Sequence, residues 1–374
     1  MIVCSKCLLD TEFSIVVYMS SYANAGVDLM KIKHIHSRIG HIISRTYPTN
    51  AICKVLSGFG HYAGLLELGS KVLALHSDGV GTKILIACMM KKYDSVGIDC
   101  VAMNVNDIIC VGAMPIAFVD YIALGLADDR LVGEIFRGLS RGAMACEMPI
   151  VGGETAIVPD MLCNGNSTSF DLVGTVLGMA EKKSLILGDK IREDDVILGV
   201  ESNGLHSNGY TLARKVLFPK YKIMDCPKFI SRSIGKELLR PTRIYLTPIK
   251  ELINIEGKRI HGLAHITGGS FAKLSRLNKG VNYRLDNLPV PQGIFKLIQE
   301  EGKISGVEMY STFNMGIGFC IILPKTSVNT AVTIFEKQKM HCTKIGSISK
   351  GSGKVAGVIE GNLKPINHTT SQLE

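Results

Sequence analysis

Apolar segments of strand or helix length in this chain break repeatedly into short clusters where glycine stands beside a carboxylate, an amide or a hydroxyl. This recurrence constrains the fold more than composition does. A strand that ends in such a cluster and leads into a helix presents free backbone N–H groups and a polar side chain at one sheet edge. Lys71–His76 reads as a strand running into Ser77-Asp78-Gly79-Val80-Gly81-Thr82, and 83–91 then reads as helical. Residues 99–111 form a second apolar helical segment carrying Asn104, Asn106 and Asp107. Residues 149–151 read as a strand that stops at Gly152-Gly153-Glu154-Thr155. Ile32, Ile35, Ile39 and Ile42 recur at helical spacing between Lys31 and Ser44. Strands at 116–124 and 170–179, a helix at 130–146 and a strand at 196–200 complete a mixed α/β pattern.

Length and charge bound the organisation. The 374 residues, 46% of them hydrophobic, suffice for two domains of about 100–200 residues. No apolar run approaches the roughly 18–20 residues a membrane span needs, and the N-terminus lacks the basic region of a signal peptide. The 11 cysteines are scattered, a pattern expected of a reducing cytoplasm. Cys4-x-x-Cys7 has no second pair to complete a zinc site. Residues 1–180 carry 13 Lys and Arg against 16 Asp and Glu, whereas 181–374 carry 29 against 17. The change of sign and the polar stretch 180–193 place a domain boundary near residue 181. The basic charges of the second half are dispersed, without aromatic interleaving, so a solvated surface is expected and nucleic-acid binding is not.

Each cluster has a chemical and a structural reading. There is neither a P-loop nor a G-x-G-x-x-G fingerprint. Asp78 suits Mg²⁺ while Gly79, Gly81 and Thr82 suit phosphate; a capped tight turn is the alternative. Asp107 is a second carboxylate for Mg²⁺, or an exposed helix residue. Glu154 is placed for a cation or ribose, or in a glycine turn. His206, Ser207 and Asn208 precede a helix, as an anion site or as its cap. His265, followed by Thr267-Gly268-Gly269, suits phosphate or proton transfer, or structural packing. Thr312 and Asn314 stand beside strand residues. Together these clusters point to Mg-nucleotide chemistry without a P-loop.

In order and spacing, the clusters resemble the phosphoribosylformylglycinamidine cyclo-ligase family, also called aminoimidazole ribonucleotide synthetases. The resemblance starts at Ser21-Tyr22-Ala23-Asn24-Ala25-Gly26-Val27-Asp28. It runs through D-G-V-G-T-K, N-x-N-D, V-G-G-E-T-A, H-S-N-G-Y, Pro241–Tyr245, A-H-I-T-G-G and M-Y-x-T-F-N-x-G-I-G. Gly60–Gly64 and Glu154–Asp160 look like the archaeal-type branch. The resemblance implies ATP-dependent closure of formylglycinamidine ribonucleotide to aminoimidazole ribonucleotide, with release of ADP and phosphate. It implies a two-domain α/β (mixed α+β) fold. Residues 21–180 would form an ATP-binding domain whose strands build a homodimer core, and 181–374 a C-terminal α/β domain. Residues 1–20 would be an extension, with Met19 the expected initiator.

Carried over by position, Asp78 and Asp107 would hold Mg²⁺. Gly79, Gly81, Thr82, Lys83, Asn106, Glu154 and Thr155 would line ATP. His206, Ser207, Asn208, Thr267, Gly268, Gly269 and Thr312 would face the ribonucleotide. His265 and Asp107 would be catalytic, and K⁺ is a candidate further ion. Three departures stand out: Ser270 replaces a third glycine; Ile157, Val158 and Asp160 differ from bacterial members; and Arg38-Ile39-Gly40 lacks the lysine of a bacterial R-I-K. Selenophosphate synthetases and thiamine-phosphate and hydrogenase-maturation kinases are relatives, but Cys53-Lys54 lacks the glycine context selenophosphate chemistry requires, and H-S-N-G-Y with A-H-I-T-G-G favours the cyclo-ligase.

Overall fold

The computed structural model describes residues 29–47, 52–57, 60–162 and 169–366. The S-Y-x-x-A-G-V-D segment, the N-terminal extension and Cys4-x-x-Cys7 lie outside them. Helix α1 (Leu29–Ser44) carries the isoleucine stripe. The first half then supplies β1 (Lys54–Val55), β2 (Gly64–Leu68), β3 (Lys71–Gly79), α2 (Ile84–Met90), α3 (Asp94–Ile109), β4 (Met114–Leu124), α4 (Asp129–Ala145), β5 (Ile150–Ile157), α5 (Pro159–Leu162) and β6 (Phe170–Glu181). The second supplies β7 (Val196–Glu201), α6 (Tyr210–Leu217), α7 (Ile234–Leu238), α8 (Leu246–Glu256), β8 (Gly262–His265), β9 (Val281–Leu285), α9 (Gly293–Gly302), α10 (Gly306–Thr312), β10 (Ile317–Leu323), α11 (Val328–Lys337), β11 (Cys342–Lys350), β12 (Val355–Ile359) and β13 (Asn362–Pro365).

The first sheet has the order β1-β2-β3-β6-β4-β5 and is antiparallel except for β4 beside β5. Burial alternates along β6 and the first part of β3, as a sheet packed on one face requires. Val72, Ala74, Leu172 and Val176 are buried toward α3, which α4 covers in turn. The Asp128 carboxylate starts α4 by accepting from the N–H groups of Arg130 and Leu131, both at 3.0 Å. On the opposite face Leu68, Leu75, Val119 and Tyr121 are exposed, around a half-buried Leu177. The second sheet, β13-β12-β9-β11-β7-β10-β8, has β10 buried along its whole length. An unbroken apolar strand of this kind needs cover on both faces, and α11 lies on one of them, against β7 and β11.

Two elements differ from the sequence reading in ways that move the site. Strand β3 does not stop at His76 but runs through Ser77-Asp78-Gly79, paired with β6 as far as Val173. Strand β5 does not stop at the glycine pair: Gly152-Gly153-Glu154-Thr155 is strand, paired with Val119–Ile122. The glycine that reads as a turn serves close approach, because a Cβ at Gly153 would lie 2.5 Å from Asp120 Oδ1.

Candidate active site

Helix α3 brings the two halves together through its polar residues. Beyond Leu75, strand β3 has no β2 partner, so the backbone of Asp78 needs another one. Asn104 provides it: its Oδ1 accepts from Asp78 N–H at 3.0 Å and its Nδ2 donates to Asp78 C=O at 3.1 Å. Gly174, next to Asp78 in β6, leaves the room; a Cβ there would lie 2.9 Å from Asn104 Nδ2. Asn106 Oδ1 accepts from Tyr245 N–H at 3.0 Å, and its Nδ2 donates to Arg243 C=O at 2.8 Å. Asp107 accepts from His265 Nδ1 at 2.6 Å and faces His76 Nε2 at 3.4 Å. The N-x-N-D motif thus ties β3, the P-T-R-I-Y segment and the end of β8 to about one helix turn.

The electrostatics follow from this packing. Burial opposes the charge on Asp107, but the His265 hydrogen bond, with Lys273 and His76 nearby, outweighs it and brings its pKa down to about 2. Asp78 is pushed up, by burial first and then by the neighbouring Asp107 charge. Two carboxylates in one buried site, one ionised and one resisting ionisation, form a donor set that a divalent cation relieves. Among the described residues no group of three or more His, Cys, Asp and Glu side chains is arranged to hold a metal. Two carboxylates suit Mg²⁺, which keeps water and phosphate oxygens as its other ligands.

His265 is fully buried, and burial lowers its pKa against the pull of Asp107. The neutral ring donates from Nδ1 to Asp107, while Nε2 faces Asn106 Nδ2 at 3.4 Å. Both nitrogens are engaged, so the ring orients Asp107 rather than standing open for proton transfer. Burial likewise pushes the pKa of His206 down, and its Nε2 accepts from Asn203 N–H at 2.9 Å. Ser207 Oγ lies 3.0 Å from Thr242 Oγ1. Thr82 Oγ1 lies 3.2 Å from Thr211 Oγ1, which joins D-G-V-G-T-K to the helix after H-S-N-G. Asn208 approaches the T-G-G turn closely enough that a Cβ at Gly268 would lie 2.8 Å from its Oδ1. Ser270 takes φ 47° and donates to Phe313 C=O at 2.6 Å, which offsets the left-handed backbone.

Other expected residues lie apart. Lys83 is fully buried, 2.7 Å from Asp99 Oδ2, and donates to Arg240 C=O at 2.6 Å. Asp99 also accepts from Thr242 N–H and Oγ1, both at 2.6 Å. The Lys83 ammonium therefore joins the halves, with its charge engaged by Asp99 and the Arg240 carbonyl. Glu154 and Thr155 are exposed on β5, which β6 and β4 separate from β3. At about 4.8 Å per strand they stand roughly 14 Å from the Asp78 strand. Thr312 is buried at the end of α10. Asn314 bridges Ser202 Oγ at 3.1 Å and Gly204 C=O at 3.0 Å as a scaffold. The sequence reading gave Asn104 no role beyond its place in N-x-N-D, and it missed Asp99 and Lys273, the last a buried lysine whose charge bears on both carboxylates. An open cavity of about 950 Å³ between α2 and α4 shares none of these residues.

Comparison with known proteins agrees with this arrangement. Residues 60–180 match the model for the AIR synthase related protein N-terminal domain, and 192–359 the C-terminal domain. The phosphoribosylformylglycinamidine cyclo-ligase of Methanothermobacter thermautotrophicus is 46% identical over 318 residues, 84% of this chain and 91% of the relative. That of Methanocaldococcus jannaschii is 44% identical over 356 residues, 93% of this chain and 99% of the relative. The chain belongs to the phosphoribosylformylglycinamidine cyclo-ligase family. Solved structures share the fold at lower identity. Hydrogenase maturation protein HypE in complex with ATP has a TM-score of 0.58 at 18% identity, covering 88% of this chain and 90% of that one. AaThiL complexed with AMPPCP and TMP has a TM-score of 0.59 at 18% identity, covering 88% and 95%. Within the cyclo-ligase family, this chain places N-x-N-D, P-T-R-I-Y and A-H-I-T-G-G in one hydrogen-bonded unit.

Proposed function

We propose that the chain catalyses the ATP-dependent ring closure of formylglycinamidine ribonucleotide to 5-aminoimidazole ribonucleotide in purine biosynthesis, releasing ADP and phosphate. The observation that carries this reading is the Asp78–Asp107 pair, joined through His265 and Asn106 to motifs of the second half, in a chain 44–46% identical to cyclo-ligases. The phosphoryl group of ATP is transferred to the formyl oxygen, which turns a poor leaving group into a good one. The amidine-side nitrogen then attacks the activated carbon, the carbon–oxygen bond breaks, and phosphate leaves. Catalysis is mainly positioning and charge stabilisation. Asp78 and Asp107 would hold Mg²⁺, which supplies neutralising charge at the phosphates. Gly79, Gly81 and Thr82 line the nucleotide, and the neutral His265 fixes the Asp107 carboxylate.

His206, Ser207, Asn208 and the Thr267-Gly268-Gly269 turn face the ribonucleotide. The division into an N-terminal nucleotide-binding part and a C-terminal part falls near residue 181. The bare apolar face of the first sheet is the surface on which a second copy docks to form a homodimer. Burial of such a face is the main driving term in association. No helix among the described residues is long and apolar enough to cross a membrane, and the enzyme is assigned to the cytoplasm.

The test is incubation with formylglycinamidine ribonucleotide, MgATP and K⁺, with assay for the aminoimidazole product. Product that disappears in Asp107→Asn supports the reading. A folded wild type that binds MgATP and forms no product refutes it.

A further inference from the structure

The carboxylate cluster holds a cation that the mechanism above leaves without a task. Lys273 lies in the 3-10 segment Ser270–Arg276 and is only 8% exposed. A buried ammonium is expensive unless paired. Its one hydrogen-bond partner among the described residues is the Thr267 hydroxyl, which leaves N–H donors of the ammonium unused. The negative charge it feels comes from Asp107 and Asp78, neither of which it contacts. Two further donors without acceptors border the same turn. The Tyr62 ring lies 5.8 Å from the Lys273 ammonium, and its buried hydroxyl has no hydrogen-bond partner among the described residues. Beyond Thr267, Asn208 Nδ2 is buried without a hydrogen-bond partner among the described residues, and the Asn208 side chain lies beside Gly268. Ammonium, phenol and amide around one turn, next to two carboxylates suited to Mg²⁺, are built to receive an acceptor-only group such as a phosphoryl group.

We propose that Lys273 is a catalytic cation, binding the anionic oxygens of the phosphoryl group as it passes from ATP to the formyl oxygen. The assignment rests on the cyclo-ligase reading. In this step the bond between the γ-phosphorus and the β–γ bridging oxygen breaks, and its electron pair leaves on ADP. A bond forms between phosphorus and the formyl oxygen. Lys273 keeps its proton throughout and contributes charge alone. Its place beside both carboxylates favours the moving phosphoryl group over the ribose phosphate.

A lysine kept for stability and a lysine kept for chemistry respond oppositely to Lys273→Met. Methionine preserves much of the stem and removes a buried charge with no contacting carboxylate among the described residues, so the variant should unfold at or above the wild-type temperature. Calorimetry should show MgADP affinity within about twofold of wild type and MgATP affinity about tenfold weaker, because only ATP carries the contacted group. In the ring-closure assay kcat should fall about 10²–10³-fold, the scale for one donor to a developing oxyanion. Lys273→Arg, which keeps the charge, should recover about tenfold of that loss. The proposal is overturned by a lowered unfolding temperature with parallel loss of both nucleotides. An unchanged kcat overturns it too, as does an effect confined to KM for the ribonucleotide. A wild type that binds MgATP but makes no product refutes the cyclo-ligase reading, and the ATP-against-ADP comparison then still decides whether Lys273 holds the terminal phosphoryl group.

Discussion

Replacing Lys83 by methionine separates a lysine that binds nucleotide from one that joins two halves of a protein. The sequence places Lys83 directly after D-G-V-G-T, where a phosphate contact is the natural expectation. The structure buries its ammonium against Asp99 Oδ2 at 2.7 Å and Arg240 C=O at 2.6 Å. Removing one member of a buried ion pair costs about 3–5 kcal/mol, because the other charge is left uncompensated. Here Asp99 keeps both bonds from Thr242, so the loss should fall near the lower end, about 3 kcal/mol. That is a large share of the roughly 5–15 kcal/mol that holds a typical protein folded. Urea unfolding of wild type and Lys83→Met, with unchanged slope, measures it. The double variant Lys83→Met with Asp99→Leu should recover about 2 kcal/mol, since an apolar pair replaces an orphaned charge. MgATP affinity of Lys83→Met should remain within about twofold of wild type. A variant as stable as wild type, or one that binds MgATP more than about tenfold more weakly while MgADP-free stability is unchanged, would refute the reasoning.

Gly318→Ala should destabilise the second half and abolish activity, because a Cβ there overlaps Tyr245 Oη and His206 Cε1; a cost of about 1–3 kcal/mol is expected from overpacking and is read from thermal unfolding. Asp107 is moved from its ordinary 3.8 to about 2 in the folded state. A depressed acid contributes stability that is present above its unfolded pKa and lost as pH falls toward 2, about 2–3 kcal/mol in all. Acid titration of Asp107→Asn should therefore show a shallower loss between pH 4 and 2 than wild type, a window of about two units. If the bare face of the first sheet forms the proposed homodimer, Tyr121→Lys should shift the chain from dimer to monomer in sedimentation, because a charge within an apolar contact is left desolvated. Retention of the dimer would move the interface elsewhere.

Elements with regular apolar spacing were legible in the sequence because periodicity reports a buried face directly. The strands around 71–79, 114–124 and 170–181 lie within a few residues of where that spacing puts them, and α1 is a helix where its isoleucines recur, although Ile35 and Ile42 stand exposed on it. Glycine misled at β5, where Gly152-Gly153 reads as punctuation. Its role, the approach of Asp120 to Gly153, is a relation between strands that no local pattern records. The same limit applies to the lysines. Lys83 follows a phosphate-like motif, yet the 3-10 turn Gly81–Lys83 carries it into the core. Lys273 sits in Ala272-Lys273-Leu274-Ser275-Arg276, which reads as an ordinary basic surface, and its place just after the T-G-G turn was the one available signal.

The polar residues of α3 explain why so much of the site lay in one short motif and so little of its logic did. Asp99 and Asn106, seven residues apart on one face of the helix, both meet the P-T-R-I-Y segment, at Thr242 and at the Arg243–Tyr245 backbone, while Asn104 meets the backbone of Asp78 and Asp107 meets His265. Sequence shows polar residues on an apolar helix, which are costly to bury without partners. It does not show that the partners come from both halves. Because the same side chains join the halves and set the distance between the carboxylates, any slippage of one half against the other unpairs a buried amide or carboxylate before it opens the site. The interface and the chemistry are therefore coupled through hydrogen bonds that are individually worth about 1–3 kcal/mol to leave unmade. This is the physical reason to expect that variants at Asn104 or Asn106, which need touch no substrate, lose activity and stability together, whereas Lys273 variants lose activity alone.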